Sequence, residues 1–396
     1  MNPRLAQLRP YPFERLRALL EGVRPNDAYT AINLSIGEPK HPTPALIRDA
    51  LTQSLAGLAQ YPPTSGMPLL REAITQWIAS RYATCLDPQS QVLPINGSRE
   101  ALFAIAQTVV DGSKPGAKVV MPNPFYQIYE GAALLAGAQP LFLNTTEANG
   151  FRMPLESLDA ATWDDVQLLY ACSPANPSGT VIDTDHWARL FALADRHDFV
   201  IASDECYSEL YYDESAPPVG AIEASHRLGR SGLERLVVFS SLSKRSNAPG
   251  LRSGFVAGDA RVLRKFLLYR TYHGSAMSPP VQHASIAAWR DEAHVRDNRR
   301  QYAEKYRLVL PCLQAPLRTF MPQGGFYLWI TTPIDDTEFT RALYREYNVL
   351  VLPGSVLARD VNGENPGKDH VRVALVAPLA ECAEAVERLN RFAKQL

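Results

Sequence analysis

Between Gln91 and Phe239 the chain repeatedly exchanges a short apolar run for a stretch with helical spacing, and this alternation constrains the fold more than any other feature. Strands are predicted at 91–95, 118–121, 139–143, 166–171, 199–203 and 236–239. Helices are predicted from about 97 to 110, 128 to 136 and 184 to 197. Runs this apolar, without polar alternation, need cover on both faces. Joined through helices, they predict an α/β fold with a mostly parallel central sheet. Ligands of such sheets bind beyond the carboxyl ends of the strands.

The polar residues gather in the loops at those ends. Asn123-Pro124-Phe125-Tyr126 follows one strand, Ser173-Pro174-Ala175-Asn176-Pro177-Ser178-Gly179 the next, and Ser203-Asp204-Glu205-Cys206-Tyr207 a third. Each has an ordinary reading when taken alone. Tyr126 fits a core, Asn176 stabilises a turn, Cys206 packs, and Asp204 caps a helix or pairs with a nearby Arg. Yet a carboxylate at the mouth of a buried strand is costly without a cation beside it. Asn96-Gly97-Ser98-Arg99 opens a helix, where free backbone N–H groups and the dipole favour an anion. The stretch from Phe239 to Gly254 places Ser241, Ser243, Lys244 and Arg252 in the loop after a buried strand, which suits a phosphate with a reactive amine beside it. On its own that loop reads first as a solvated surface.

At 396 residues the chain is longer than one core usually sustains. A large domain over residues 45–285 and a smaller α+β domain, formed by 1–44 and 286–396, are predicted. The first segment contributes a helix at 13–20 and a short strand from Ile32 into a glycine turn at Gly37. Helices at 44–58, 67–82 and 260–272 belong to the large domain. A charged amphipathic helix over 291–314 bridges to strands at 326–331, 349–352 and 371–375 and helices at 335–347 and 379–394. Arg372 lies within the strand at 371–375, where a buried arginine calls for a carboxylate partner, either within the protein or on a ligand.

Net charge is −1 and the basic residues are dispersed, which argues against nucleic acid or an anionic membrane as partner. Five scattered cysteines without a Cys-x-x-Cys pair fit reduced thiols and a cytoplasmic location, with no metal site. The sequence contains no Gly-x-Gly-x-x-Gly after the first strand, no Walker-type loop and no His-Glu-x-x-His.

Together, Asn176-Pro177-Ser178-Gly179, Asp204 with Tyr207, Ser241-x-Ser243-Lys244 and Gly250-Leu251-Arg252 resemble the motifs of the class I aminotransferases, fold-type I enzymes dependent on pyridoxal 5′-phosphate. The resemblance covers almost the whole chain in order and spacing. It implies that Lys244 binds the cofactor covalently and shuttles a proton once substrate displaces it. By the same likeness Asp204 pairs with the ring nitrogen, Tyr207 and Asn176 bond the ring's phenolic oxygen, and Tyr126 stacks on the ring. Ser98, Ser241, Ser243, Arg252 and the backbone at Gly97 and Arg99 form the phosphate cup. Tyr61 reaches the phosphate from a second subunit, so the resemblance implies a homodimer with shared active sites. Arg372 clamps the substrate α-carboxylate, with Gly37 beside it as a backbone donor and Asn176 nearby.

Residues 35–44 and 243–252 look most like the succinyldiaminopimelate aminotransferases of lysine and diaminopimelate biosynthesis. The implied reaction exchanges an amino group between glutamate with 2-oxoglutarate and N-succinyl-L-2,6-diaminopimelate. Many relatives carry Asp and Phe where Lys40 and His41 stand, and Lys40 is expected to hold distal carboxylates of this long substrate. Other expectations on the same scaffold are an aminotransferase for aspartate, alanine or aromatic substrates, or a lyase. A non-catalytic sensor that binds pyridoxal phosphate is the reading from a different class.

Overall fold

The computed structural model describes residues 1–396. Its strands, in chain order, are β1 (Ile32–Asn33), β2 (Val92–Ile95), β3 (Lys118–Asn123), β4 (Gln139–Asn144), β5 (Val166–Cys172), β6 (Val200–Asp204), β7 (Leu236–Ser241), β8 (Gly254–Gly258), β9 (Tyr327–Thr331), β10 (Val349–Leu350), β11 (Leu352–Pro353) and β12 (His370–Ala374). Seven of them form the central sheet in the order β2-β8-β7-β6-β5-β3-β4. Strands β3 to β7 pair in parallel, and β8 runs antiparallel to both its neighbours. The sheet is the mostly parallel one that the alternation of elements predicts.

Period-two burial explains its stability. Val120, Leu169, Ile201 and Val238 point into a core on one face, and Val119, Met121, Leu168, Tyr170, Val237 and Phe239 into a core on the other. Each such aliphatic contributes about 1.5–3 kcal/mol on burial. A third core, built from Ile32, Leu34, Tyr306, Leu328, Phe339, Val373 and Leu389, lies under the small sheet β11-β12-β9. The first segment of the chain thus packs with its last ninety or so residues.

Four elements differ from their predicted form. Strand β8 has no counterpart among the predicted strands: it begins and ends in glycine, which reads as loop, yet a Cβ on Gly254 would lie 2.3 Å from the Ser240 carbonyl oxygen of the adjoining strand. The helix predicted at 44–58 divides into Ala45–Gln53 and a 3-10 turn at Leu55–Ala59. The bridging helix is shorter, Ala293–Val309 followed by the 3-10 turn Leu310–Cys312, because Pro311 cannot continue it. The strand predicted at 349–352 is two strands, β10 beside β1 and β11 beside β12, in different sheets. No helix is long and apolar enough to cross a membrane.

Candidate active site

Strands β5, β6 and β7 are parallel neighbours, so their carboxyl ends at Cys172, Asp204 and Ser241 lie in one row. These ends face Arg372 on β12 across a cavity of about 490 Å³. Gly37, Ser98, Arg99, Tyr126, Asn176, Asp204, Tyr207, Ser241, Ser243, Lys244, Arg252 and Arg372 all line it.

Lys244 lies on a one-turn helix, Leu242–Arg245, and not in open loop as predicted. Ser241 caps that turn by accepting the Ser243 N–H at 3.1 Å, so the local Ser-x-Ser pattern itself folds the lysine into place. The amine donates to the Gly37 carbonyl at 2.5 Å and sits 5.3 Å from the Phe326 ring centroid. Burial brings its pKa down to about 8, and the positive charges of Arg372 and Arg252 act in the same direction. A Cβ on Gly37 would fall 1.8 Å from the Tyr327 hydroxyl, so only glycine lets this carbonyl approach.

Asp204 is 6 % exposed. Its Oδ2 accepts from the Tyr129 hydroxyl at 2.7 Å and its Oδ1 from the Cys206 N–H at 3.3 Å. Burial raises its pKa. It forms no salt bridge and caps no helix, so neither ordinary reading of this residue holds. Tyr129 escaped the sequence reading. Its place one helical turn after Tyr126 was the available signal, and its ring stacks on Tyr170 at 4.5 Å and 9°.

Arg372 is 4 % exposed, yet no protein carboxylate reaches it. Its Nη1 donates to Asn176 Oδ1 at 3.0 Å and its Nη2 to the Ser35 carbonyl at 2.9 Å, while Nε has no partner. The guanidinium lies 4.3 Å from the centroid of Tyr327. The Tyr327 hydroxyl in turn meets that of Tyr207 at 3.0 Å. Tyr327 was read only as a strand residue, because a tyrosine inside an apolar run gives no sign of which way its hydroxyl faces.

At the opposite end, Ser98 begins the helix Ser98–Val109. Gly97 precedes it at φ +82°, and a Cβ there would lie 1.9 Å from Arg252 Nη2. Arg252 is exposed at the rim, tied to the Pro249 carbonyl at 2.9 Å and the Asn96 carbonyl at 3.3 Å. Ser241 and Ser243 share a hydroxyl contact of 2.9 Å on the same side. The side chain of Arg99 turns outward to the Tyr126 and Tyr11 hydroxyls at 2.7 and 3.3 Å. Tyr126 therefore stands at the wall, edge-on to Tyr129.

Of the expected residues, Gly97, Tyr61 and Lys40 are not among those that line the cavity. Tyr61 is fully exposed. Lys40 is exposed too, and the next residue, His41, is drawn to Asn298 and Lys305 on the bridging helix at 3.1 and 2.8 Å. The charge of Lys40 is felt by Lys305 and Cys382.

Pyridoxal 5′-phosphate fits this donor set. Helix N-terminus, serines and Arg252 suit the phosphate. The buried carboxylate of Asp204, which forms no salt bridge, suits a protonated ring nitrogen, and an amine of lowered pKa suits the aldehyde.

A family model described as aminotransferase class I and II matches residues 29–389. The LL-diaminopimelate aminotransferase of Desulforudis audaxviator is 31 % identical over 393 residues, 98 % of this chain and 96 % of that one. Among solved structures, an aminotransferase from Neisseria meningitidis superposes with a TM-score of 0.96 at 50 % identity, covering 99 % of this chain and 100 % of that one. The aminotransferase AspB from Helicobacter pylori does so with a TM-score of 0.91 at 35 % identity, covering 98 % and 100 %.

Proposed function

The chain belongs to the class I and II aminotransferases, with pyridoxal 5′-phosphate as cofactor, and from that premise we propose that it exchanges an amino group between glutamate and the oxo acid corresponding to N-succinyl-L-2,6-diaminopimelate. When bound, the cofactor supplies a carbonyl for the substrate's amine and a ring that accepts electrons released at Cα. Asp204 holds the proton of the ring nitrogen. Tyr207 and Asn176 would donate to the phenolic oxygen, and Tyr126 would cover the ring. The phosphate is held by Ser98, Ser241, Ser243, Arg252 and the backbone at Gly97 and Arg99.

Arg372 takes the substrate α-carboxylate in a two-point fork, with the Gly37 backbone beside it. Lys244, once free, moves the proton at substrate Cα; an amine with a pKa of about 8 can both take and return it near neutral pH. The observation that carries the reading is the presence in one cavity of this amine and a buried carboxylate that forms no salt bridge.

The substrate is the finer part of the proposal. It rests on the likeness of residues 35–44 and 243–252 to succinyldiaminopimelate aminotransferases. A second reading, free LL-diaminopimelate, is favoured by Glu38, whose carboxylate lines the cavity and suits a distal ammonium that succinylation would remove. The relative from Desulforudis audaxviator carries that substrate in its name. Steady-state kinetics with the succinylated and free compounds, and with aspartate, alanine and aromatic donors, separates these readings. A kcat/KM at least tenfold higher for the free compound would sink the first.

The proposal includes a homodimer in which Tyr61 reaches the partner's phosphate site. The exposed Leu55 and Leu58, close to Tyr61 in the chain, are an apolar surface suited to such a contact. It also divides the chain into residues 45–285 and the small domain of 1–44 with 286–396, and places the protein in the cytoplasm, which its five unpaired cysteines suit.

A further inference from the structure

The turn that carries Lys244 is too short to satisfy its own carbonyls. The Ser246 N–H meets the Leu242 carbonyl at 3.0 Å, but no backbone N–H of the following loop reaches those of Lys244 and Arg245. One side chain meets both. Asn298, on the bridging helix, donates from Nδ2 to the Lys244 carbonyl at 3.1 Å and to the Arg245 carbonyl at 3.3 Å.

Asn298 is 2 % exposed, and its oxygen is held as firmly as its nitrogen. Oδ1 accepts from Asn247 Nδ2 at 2.8 Å and from His41 Nδ1–H at 3.1 Å. Every hydrogen-bonding position of the amide is used, which leaves it a single orientation. The chemistry singles out this residue type, because two carbonyl acceptors need two N–H donors on one atom. Aspartate would oppose acceptor to acceptor, and alanine would leave both carbonyls buried and unpaired. One turn earlier on the same helix, His294 accepts from Ser246 Oγ at 2.8 Å and gives its other ring N–H to Asp291 at 2.6 Å, so the loop is held at a second point.

We propose that Asn298 is the positioning residue of Lys244: by holding the carbonyl of Lys244 itself, it fixes the direction in which the side chain leaves the backbone and keeps the amine trained on the cavity. The inference rests on the reading of Lys244 as the cofactor-bearing residue. Because Asn298 sits on the helix that bridges the large domain to the small one, a shift of that helix passes directly to the lysine backbone.

The test compares Asn298→Ala and the isosteric Asn298→Asp with Val295→Ala, a buried position of the same helix that makes no hydrogen bond to the lysine turn. In the holoenzyme, the pH midpoint of the bound cofactor's visible absorbance change is measured with kcat and KM. In protein stripped of cofactor, the labelling of Lys244 by an amine-selective reagent is followed against pH by peptide mass spectrometry. Both Asn298 variants should move the absorbance midpoint and raise the labelling midpoint by about one unit as the amine regains solvent. They should lower kcat by about 100-fold, the scale of an ångström misplacement, with little change in KM. Val295→Ala should lower the melting temperature and leave both midpoints in place. Wild-type midpoints in Asn298→Asp would overturn the inference. A wild-type protein with no visible cofactor band, and no borohydride-fixed adduct on Lys244, would overturn the reading of Lys244 and the inference with it.

Discussion

Tyr129 donates its hydroxyl to Oδ2 of Asp204 across 2.7 Å, from a ring held parallel to Tyr170. The bond ties the carboxylate at the end of β6 to the first turn of the helix Ile128–Ala136. It leaves the acid oriented but electrically unbalanced.

Asp204→Asn removes the charge and keeps the shape. We expect kcat to fall by about 10³-fold, the upper range for a preorganised electrostatic partner. Tyr129→Phe removes one hydrogen bond to a charged group, worth about 1.5–3 kcal/mol, and should cost about ten- to a hundredfold in kcat. Stopped-flow half-reactions with glutamate measure both. Equal rates for Asp204→Asn and wild type would refute the role given to this acid.

Arg372 offers a fork that lysine cannot reproduce. Arg372→Lys should raise KM for every amino donor by about 100-fold while leaving cofactor affinity within about twofold, since the fork meets substrate and not cofactor. Donor kinetics and a cofactor titration check the two halves separately.

Glu205 sets a pH dependence of stability. It is 1 % exposed, and burial raises its pKa to about 7 although the Ala221 N–H and the hydroxyls of Ser203 and Tyr82 donate to it. Between the ordinary glutamate value, 4.5, and about 7, the folded state keeps a proton that the unfolded state has released. Stability therefore falls as pH rises through that window, by about 3 kcal/mol from this group, and the penalty vanishes below it. Urea midpoints at pH 5 and pH 7.5 should converge in Glu205→Gln relative to wild type.

Glu130 and Arg359 form a buried pair, with Arg359 Nε to Oε1 at 2.8 Å and Nη2 to Oε2 at 2.5 Å. Asn123 exchanges two further bonds with the Arg359 backbone at 2.8 and 2.9 Å. The pair fastens the segment carrying Leu357, a cavity residue, to the helix Ile128–Ala136, and Asn123 ties it to the end of β3. Glu130→Ala alone should cost about 3–5 kcal/mol, because it strands the guanidinium; adding Arg359→Met should restore part of that loss. Chemical denaturation of the single and double variants decides it.

Much of this was legible in the sequence wherever one residue type had one physical reason to be there. Apolar runs located β3 to β7, and the carboxylate of Asp204 at the end of the run Val200-Ile201-Ala202-Ser203 was costly enough to point to a cationic partner. What escaped were features set by contacts between distant segments. The hydroxyls of Tyr129 and Tyr327 look like core residues until the facing acid and phenol are in place. Strand β8 hid behind its glycines, which are needed for the closeness of β7. The partners of His41, Asn298 and Lys305, were equally hidden, since they lie more than 250 positions along the chain.

Strand β8 has one more consequence. Since Gly254 pairs with Ser241, residues 242–253 form an excursion cinched at its base. The lysine and Arg252 are therefore mounted on a single tethered loop, and the spacing between amine and guanidinium depends on the length of that loop. Lengthening it by even one residue would detune both anchor points together, whereas changes elsewhere on the rim could alter what the cavity accepts without disturbing either.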